Sequence, residues 1–425
     1  MATQMQQAKA KIITEEMYQI AQRENLTAEY VRDGVANGRV VILKNNKKTD
    51  FTPVALGEGM KVKVMSCVGA HSSKTPLVSV LDKVRVIQSA GVDVIYENSS
   101  CEIAKEVRNA IFAISKVPMG ACPTIQAGVS VLEQTGDISN LTKEDLLNAI
   151  ENQCANGMDF VSLNCGLTKD ILDKLKYTRR LFKINSPSGM ILSCMMKAKG
   201  IENPLYEYFD EVLNIIKEYD VVLMLSSAFK SECTSDAFDS VEIAEMVIFG
   251  ELVQRAREKN VQVMINGIGQ VSLNKIPLMV QNIKEMTDGA PLYVAKANAC
   301  DCALGNDNIS SAIGSALAAY QGADLLNATT SMDRIGNSNS ANIREGIISA
   351  KIAAHCADLA RGNIDAIKQN YKMSYARLNN DIGKQIENNI DRVPFDNIDY
   401  SQAVNNLQFC SKYALDEMFD RYFSR

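Results

Sequence analysis

Short apolar runs recur through the middle of the chain, and segments with helical periodicity separate them. A buried parallel strand reads as a continuous apolar run, whereas an amphipathic helix repeats apolar residues three and four positions apart. The helical segments include Ser79–Ala90, Leu146–Asn156, Val241–Lys259 and Ser310–Gln321. The apolar runs are Val62–Cys67, Val94–Tyr96, Val117–Cys122, Phe160–Asn164, Val221–Leu225, Val261–Ile265, Leu292–Ala295 and Ala323–Leu326.

Eight buried strands that alternate with helices predict an α/β protein with a (β/α)8 TIM-type barrel. A doubly wound open sheet is the alternative, because periodicity alone does not separate the two folds. We expect an N-terminal lead-in domain over residues 1–60, with helices at Ile13–Arg23 and Leu26–Ala36 and a strand at Val40–Leu43. The barrel is expected over residues 61–365, and a helical C-terminal tail over residues 366–425.

Composition narrows the classes of partner and compartment. The 425 residues are 46% hydrophobic and 22% charged, with a formal net charge of -5. No block of like charges and no basic stripe interleaved with aromatic residues occurs, so we expect no nucleic-acid partner. No apolar run reaches the roughly 18 residues of a membrane span, and Met1–Lys11 lacks the apolar segment of a secretory signal. With 11 cysteines read as reduced thiols, the sequence predicts a cytoplasmic protein.

A barrel of this type places its site at the C-terminal ends of the strands. The residues there are mostly amides, hydroxyls and thiols, which orient a ligand by hydrogen bonds but transfer protons poorly. The sequence therefore predicts a polar binding pocket, although some of these side chains could simply end strands and cap helices. The strand-end residues are Cys67, Glu97, Asn98, Cys122, Asn164, Cys165, Ser226, Ser227, Asn266, Lys296, Asn298 and Asn327.

Several long segments, in order from about residue 3 to residue 413, resemble the ThiC family. They include Arg23–Arg39, Val261–Gln270, Ile309–Ala316 and Glu345–Ala360. The resemblance implies a barrel with an N-terminal domain, a C-terminal tail that carries an iron–sulfur cluster, and a homodimer. It also implies conversion of aminoimidazole ribotide to the thiamine pyrimidine or to 5-hydroxybenzimidazole, with S-adenosylmethionine, a [4Fe-4S] cluster and a divalent metal.

The cluster motif of this family is C-x2-C-x4-C, whose three thiolates bind three irons. In this chain Cys410 matches the first position, and Tyr413 and Met418 stand at the other two. A single thiolate does not hold such a cluster, so Cys410 is read as the remnant of the motif. We therefore predict no cofactor and no metal for this chain.

Several barrel positions also lack the metal-binding and acidic residues that the resemblance implies. Asn266 and Gln270 replace a glutamate and a metal-binding histidine, and Asn308 replaces the second metal-binding histidine. Neutral amides are poorer ligands for a transition metal than imidazole. Asn164 stands for a substrate-site histidine, and the family's Asp-Gly-Leu-Arg loop aligns with Ser227–Lys230. The predicted pocket residues are Cys67, Tyr96, Glu97, Cys122, Asn164, Ser186, Gly189, Ser227, Lys230, Asn266, Gln270, Tyr293, Lys296 and Asn308.

The sequence thus favours a diverged ThiC-family protein that has lost radical chemistry and binds a small molecule, phosphorylated or not, or a partner protein. One alternative is an active radical lyase, or a subunit of one that pairs with a paralog in a heterodimer instead of the implied homodimer. The other is an enzyme with non-radical chemistry on the same barrel. That alternative needs a group with a perturbed pKa, such as Cys67, Cys122, Cys165, Glu97 or Lys296.

Overall fold

The computed structural model describes residues 2–48, 52–379 and 381–391. The chain divides into two compact units, Met1–Ala357 and Asp358–Arg425. The strands are β1 Val40–Leu43, β2 Val54–Gly57, β3 Lys63–Val68, β4 Val94–Glu97, β5 Met119–Ala121, β6 Phe160–Leu163, β7 Val222–Ser226, β8 Val263–Ile268, β9 Leu292–Val294 and β10 Leu325–Asn327. The helices of the first 363 residues are α1 Gln4–Lys9, α2 Glu15–Glu24, α3 Ala28–Ala36, α4 Leu77–Ser89, α5 Ala104–Ile114, α6 Pro123–Thr135, α7 Lys143–Ala155, α8 Lys169–Lys174, α9 Pro187–Lys199, α10 Pro204–Glu207, α11 Phe209–Glu218, α12 Ser240–Glu258, α13 Ile276–Met286, α14 Asp307–Gln321 and α15 Ser340–Ala360. The second unit continues with α16 Ile364–Leu378 and α17 Ile382–Asn388.

The strands β3 to β10 form a closed parallel barrel in chain order. The barrel closes where β10 pairs with β3, with Leu325 opposite Lys63 and Asn327 opposite Met65. Each predicted apolar run overlaps one barrel strand, so the (β/α)8 prediction is confirmed and the open-sheet alternative is wrong. Parallel strands share one direction, so all eight C-terminal ends meet at one rim.

The lead-in contributes three helices and a hairpin. Thr14 and Thr27 cap α2 and α3, each accepting a hydrogen bond from a backbone N–H in the first turn. Helix α2 ends at Asn25, which adopts the left-handed conformation with φ 57°. The two predicted helices and the strand at Val40–Leu43 are confirmed. The domain boundaries expected at residues 60 and 365 stay predictions.

The hairpin of β1 and β2 closes the N-terminal end of the barrel. Val41 and Leu56 belong to the same apolar cluster as Phe160 and Met264 inside the barrel. Polar contacts hold the same junction: Ile42 N donates to Gln262 Oε1 at 2.8 Å. Because this end is filled with side chains, the C-terminal rim is the end at which a ligand can enter. None of the described helices combines the length and apolar character that a bilayer crossing demands.

The barrel interior leaves no room beside Gly120. A Cβ on this residue of β5 would lie 2.2 Å from atoms of the Phe160 ring. Phe160 in turn stacks on Tyr96, with ring centroids 6.1 Å apart, and Tyr96 lies at the C-terminal end of β4. Glycine at position 120 therefore leaves the space in which the rings of Phe160 and Tyr96 pack below the rim.

We expect Gly120→Ala to destabilise the protein by about 1–3 kcal/mol, because overpacking displaces Phe160. Urea unfolding followed by circular dichroism measures the change. The matched control is Gly336→Ala, since no atom lies within 4 Å of a Cβ at that position, and it should change stability by less than about 0.5 kcal/mol. Equal stability of the two variants would contradict the packing argument.

Candidate functional site

The ends of β6, β7 and β8 carry a connected network of hydroxyl and amide groups. The Ser162 and Ser226 hydroxyls are 2.5 Å apart. Asn164 Nδ2 donates to Ser226 O at 2.7 Å, and Asn266 Nδ2 lies 3.3 Å from Ser226 Oγ. The strand register explains the grouping, because Ser226 pairs with Asn266.

The N-terminus of α9 adds two hydroxyls to this network, from its cap residue Ser186 and from Ser188 in its first turn. Ser188 Oγ donates to Asn164 Oδ1 at 2.5 Å, and Ser186 Oγ donates to the same oxygen at 3.3 Å. Ser186 also caps α9 by accepting a hydrogen bond from Gly189 N at 3.1 Å. A Cβ on Gly189 would lie 2.8 Å from Ala228 Cβ, so glycine lets α9 begin close to the β7 loop. Asn164 is thereby held on both sides of its amide.

Buried amide atoms without partners collect at the ends of β8 and β9. Gln270 is 1% exposed, and neither its Oε1 nor its Nε2 has a hydrogen-bond partner among the described residues. The same holds for Asn266 Oδ1 and Asn298 Oδ1. Buried polar atoms are nearly always paired, and an unpaired one costs about 1–3 kcal/mol. We interpret these atoms as groups that complete their hydrogen bonds with a ligand.

The metal that the resemblance implies does not fit these residues. The described part of the chain contains no group of three or more His, Cys, Asp or Glu residues that could hold a metal ion. Asn308, which the resemblance places at a metal position, is buried, and its Nδ2 lies 3.4 Å from Ser349 Oγ. Neutral amides such as those of Asn266, Gln270 and Asn308 are poorer ligands for a transition metal than imidazole. Cys410, Tyr413 and Met418 lie outside the described residues.

The predicted thiols are poor nucleophiles in this fold. Burial raises the pKa of Cys67 to about 12, and the nearby Asp333 carboxylate acts in the same direction. Burial also raises the pKa of Cys122 and of Cys165. Since the thiolate is the reactive form, these groups stay protonated near neutral pH. Cys67 instead donates a long hydrogen bond of 3.5 Å to Asn327 Oδ1.

Two of the predicted titrating groups are held in ion pairs. Glu97 accepts from Arg108 Nε at 2.7 Å and from Ser99 N at 2.7 Å, so both of its oxygens are engaged. Lys296 Nζ lies 2.9 Å from Asp333. Burial lowers the pKa of Lys296, but the carboxylates of Asp333 and Glu232 outweigh it and raise the pKa above its ordinary value. Each of these two side chains is therefore engaged by a partner of opposite charge.

Some residues of the rim cannot be predicted from the strand-end pattern in the sequence. Glu245 of α12 accepts hydrogen bonds from the Ser227 hydroxyl and from the Ala228 and Phe229 backbone N–H groups. Burial raises the pKa of Glu245. The predicted set also omits four residues whose roles depend on neighbours from distant elements: Ser162, Ser188, Asp307 and Asp333. A carboxylate inside a helix gives no sequence signal that it faces a loop of a neighbouring strand.

The arrangement defines a (β/α)8-barrel protein whose neutral hydrogen-bonding groups gather at the C-terminal rim, with lysines at its edge. The burial of Tyr96 and Tyr293 raises both of their pKa values well above the ordinary value, so these phenols are neutral as well. The chain belongs to the radical SAM ThiC family, whose model matches residues 3–414.

Relatives in this family carry two kinds of name. A phosphomethylpyrimidine synthase of Carboxydothermus hydrogenoformans is 40% identical over 385 residues, which cover 91% of this chain and 90% of that protein. The 5-hydroxybenzimidazole synthase BzaB of Moorella thermoacetica is 37% identical over 390 residues, 92% of each chain.

A solved dihydropteroate synthase from Coxiella burnetii shares 13% identity at a TM-score of 0.43, covering 75% of this chain and 99% of that one.

Thiol accessibility provides a test of the site geometry. We expect iodoacetamide at about pH 8 to label the exposed thiols at least about tenfold faster than the buried ones, because burial suppresses the thiolate. Peptide mass spectrometry measures each site. The exposed thiols are Cys194, Cys300, Cys302 and Cys356, and the protected ones are Cys67, Cys122, Cys154 and Cys165. Fast labelling of Cys122 or Cys165 in the folded protein would contradict this description, and labelling in urea supplies the control.

Proposed function

We propose that this protein is a ThiC-family barrel that no longer performs radical chemistry and that binds a small, polar, uncharged molecule at its C-terminal rim. One observation carries the proposal: the amide of Gln270, at a position to which the resemblance assigns a metal-binding histidine, is buried without a partner among the described residues. A ligand with adjacent donor and acceptor groups, such as a planar amide or a nitrogen heterocycle, complements that side chain.

The electrostatics of the rim support an uncharged ligand group at its centre. The network of Ser162, Asn164, Ser226 and Asn266 contains no side chain that ionises near neutral pH. Proton transfer needs a group whose pKa lies near the working pH. The network can therefore orient a ligand by hydrogen bonds, and it is poorly equipped to move its protons.

The sequence of the tail supports the loss of radical chemistry. A [4Fe-4S] cluster with one open iron requires three thiolates, whereas the aligned positions hold Cys410, Tyr413 and Met418. The loss is thus proposed at two separate places, the tail and the barrel. For the partners of this protein, we propose a small-molecule ligand and a second copy of the chain in a homodimer.

The family's own synthase activity is a second candidate. Identity of 40% to a phosphomethylpyrimidine synthase over 91% of the chain favours it. This candidate requires iron–sulfur binding by thiols other than the family motif, or a cluster that a paralogous subunit brings to the rim. Iron content of the purified protein separates the candidates.

We expect anaerobic iron–sulfur reconstitution to leave the protein without iron above background. The physical reason is that one thiolate at the motif does not saturate a cluster. The double variant Tyr413→Cys/Met418→Cys restores the C-x2-C-x4-C spacing and serves as the matched positive control. Iron analysis and the visible absorption spectrum provide the readout. About four irons per wild-type chain, with the broad absorption of a cluster, would overturn the proposed loss.

The unpaired amide of Gln270 predicts an unusual response to mutation. We expect Gln270→Leu to stabilise the ligand-free protein by up to about 1–3 kcal/mol, because it removes a buried polar group that has no partner. The matched control is Gln262→Leu: Gln262 is also 1% exposed, but its Oε1 accepts from Ile42 N at 2.8 Å. Urea unfolding should show the opposite sign for the control. Destabilisation of both variants alike would mean that the Gln270 amide is satisfied within the protein.

A further inference from the structure

Non-radical chemistry on this barrel needs a reactive side chain at the rim. The three thiols there are held protonated by burial. Glu97 is neutralised by Arg108, and Lys296 is neutralised by Asp333. Of these five candidates from the sequence, the three thiols are therefore unreactive and the other two side chains are held in ion pairs. Lys230, in the loop that follows β7, differs from all of them.

The Lys230 amine forms no ion pair with a carboxylate in the part of the chain that the structure describes. Its Nζ donates to Ser227 O at 3.1 Å, and it takes part in none of the ion pairs found among the described residues. Glu245 is the carboxylate with the largest electrostatic effect on this amine. However, Glu245 already accepts from the Ser227 hydroxyl and from two backbone N–H groups. An ammonium group at this position is thus only weakly compensated.

The surroundings of Lys230 shift its protonation equilibrium toward the uncharged amine. Burial lowers the pKa of Lys230, and the positive charge of Lys296 lowers it further, against the opposing effects of Glu245, Glu232 and Cys122. A lysine that is desolvated or placed next to another cation becomes a nucleophile near neutral pH. The aligned family position holds arginine, which does not lose its proton in proteins. The change to Lys230 therefore introduces a group that can exist as a free amine.

We propose that Lys230 is a nucleophile that captures a small aldehyde or ketone as a Schiff base at the barrel rim. The nitrogen lone pair forms the new N–C bond, and the carbonyl π electrons move to the oxygen. Both hydrogens of the neutral amine leave with that oxygen as water, so the step needs no oxidant or reductant. The hydroxyl and amide groups around Asn164 would orient polar substituents of the carbonyl compound. This inference rests on the proposed function, because it names a chemical class for the same site.

Competitive labelling with trace acetic anhydride tests the amine directly. Over a pH series, the reactivity of each lysine follows its fraction of free amine, and peptide mass spectrometry resolves the sites. Lys197, whose side chain is 80% exposed, is the internal reference. We expect the labelling midpoint of Lys230 to lie below that of Lys197, so that Lys230 has the larger fraction of free amine and is labelled faster at neutral pH. A midpoint equal to or above that of Lys197 would overturn the proposal.

Borohydride trapping tests the covalent step. The protein is incubated with glycolaldehyde or with pyruvate and then reduced, and the adduct is mapped by mass. We expect an adduct on Lys230 at least about tenfold above that on Lys197. Lys230→Arg keeps the positive charge and removes the nucleophile, so it should abolish this adduct while the thermal unfolding midpoint stays close to that of the wild type.

The outcomes separate covalent capture from simple anion binding. If pyruvate protects Lys230 from acetylation but no reduced adduct forms, Lys230 is a cation that holds a carboxylate, and the Schiff-base proposal is wrong. Absence of adducts with both carbonyl compounds also overturns it. Neither measurement involves iron, so they succeed or fail independently of iron–sulfur reconstitution, and failure of the proposed function can be recognised separately.

Discussion

The pairing of β10 with β3 is the constraint on which the rest of the structure depends. It turns a parallel sheet into a barrel and brings the C-terminal ends of all eight strands to one rim. Strands that are far apart in sequence then supply neighbouring side chains, as when Cys67 of β3 meets Asn327 of β10. The hairpin β1–β2 fills the opposite end with apolar side chains. Together, closure and filling leave one face of the barrel for binding.

The sequence predicts the barrel well, because continuous apolar runs report burial on both faces of a strand. It also predicts that amides and hydroxyls gather at the rim, since parallel strands that run in one direction bring their C-terminal ends together. It does not reveal which of these groups are already paired. Glu97 looks like a free acid at a strand end, but Arg108 of α5 neutralises it. That contact depends on how α5 packs against the barrel, which a strand pattern does not encode.

The loops account for most of what sequence reasoning missed. Ser188 reaches Asn164 only because α9 begins close to the β7 loop, and Gly189 permits that approach. Glu245 holds the Ser227–Phe229 turn from a helix that lies further along the chain. Such contacts join residues from separate elements, and their side-chain types are common. Spacing in the sequence therefore gives no signal for them, whereas the family resemblance marks Ser186, Gly189 and Ser227.

The proposed replacement of imidazole and carboxylate by amides would change what the barrel can do without changing how it folds. Asn266 is one methylene shorter than the glutamate that the resemblance implies there, and Gln270 is close in size to a histidine, so both fit into the buried barrel end. Neither amide carries a charge. At this rim, burial of the Lys230 amine and the positive charge of Lys296 outweigh the opposing effects of Glu245 and Glu232, which makes the free amine of Lys230 more favourable. The proposed loss of the metal site and the proposed reactivity of Lys230 are therefore linked, because the glutamate that the resemblance implies at position 266 would add a negative charge to this rim and favour a protonated lysine.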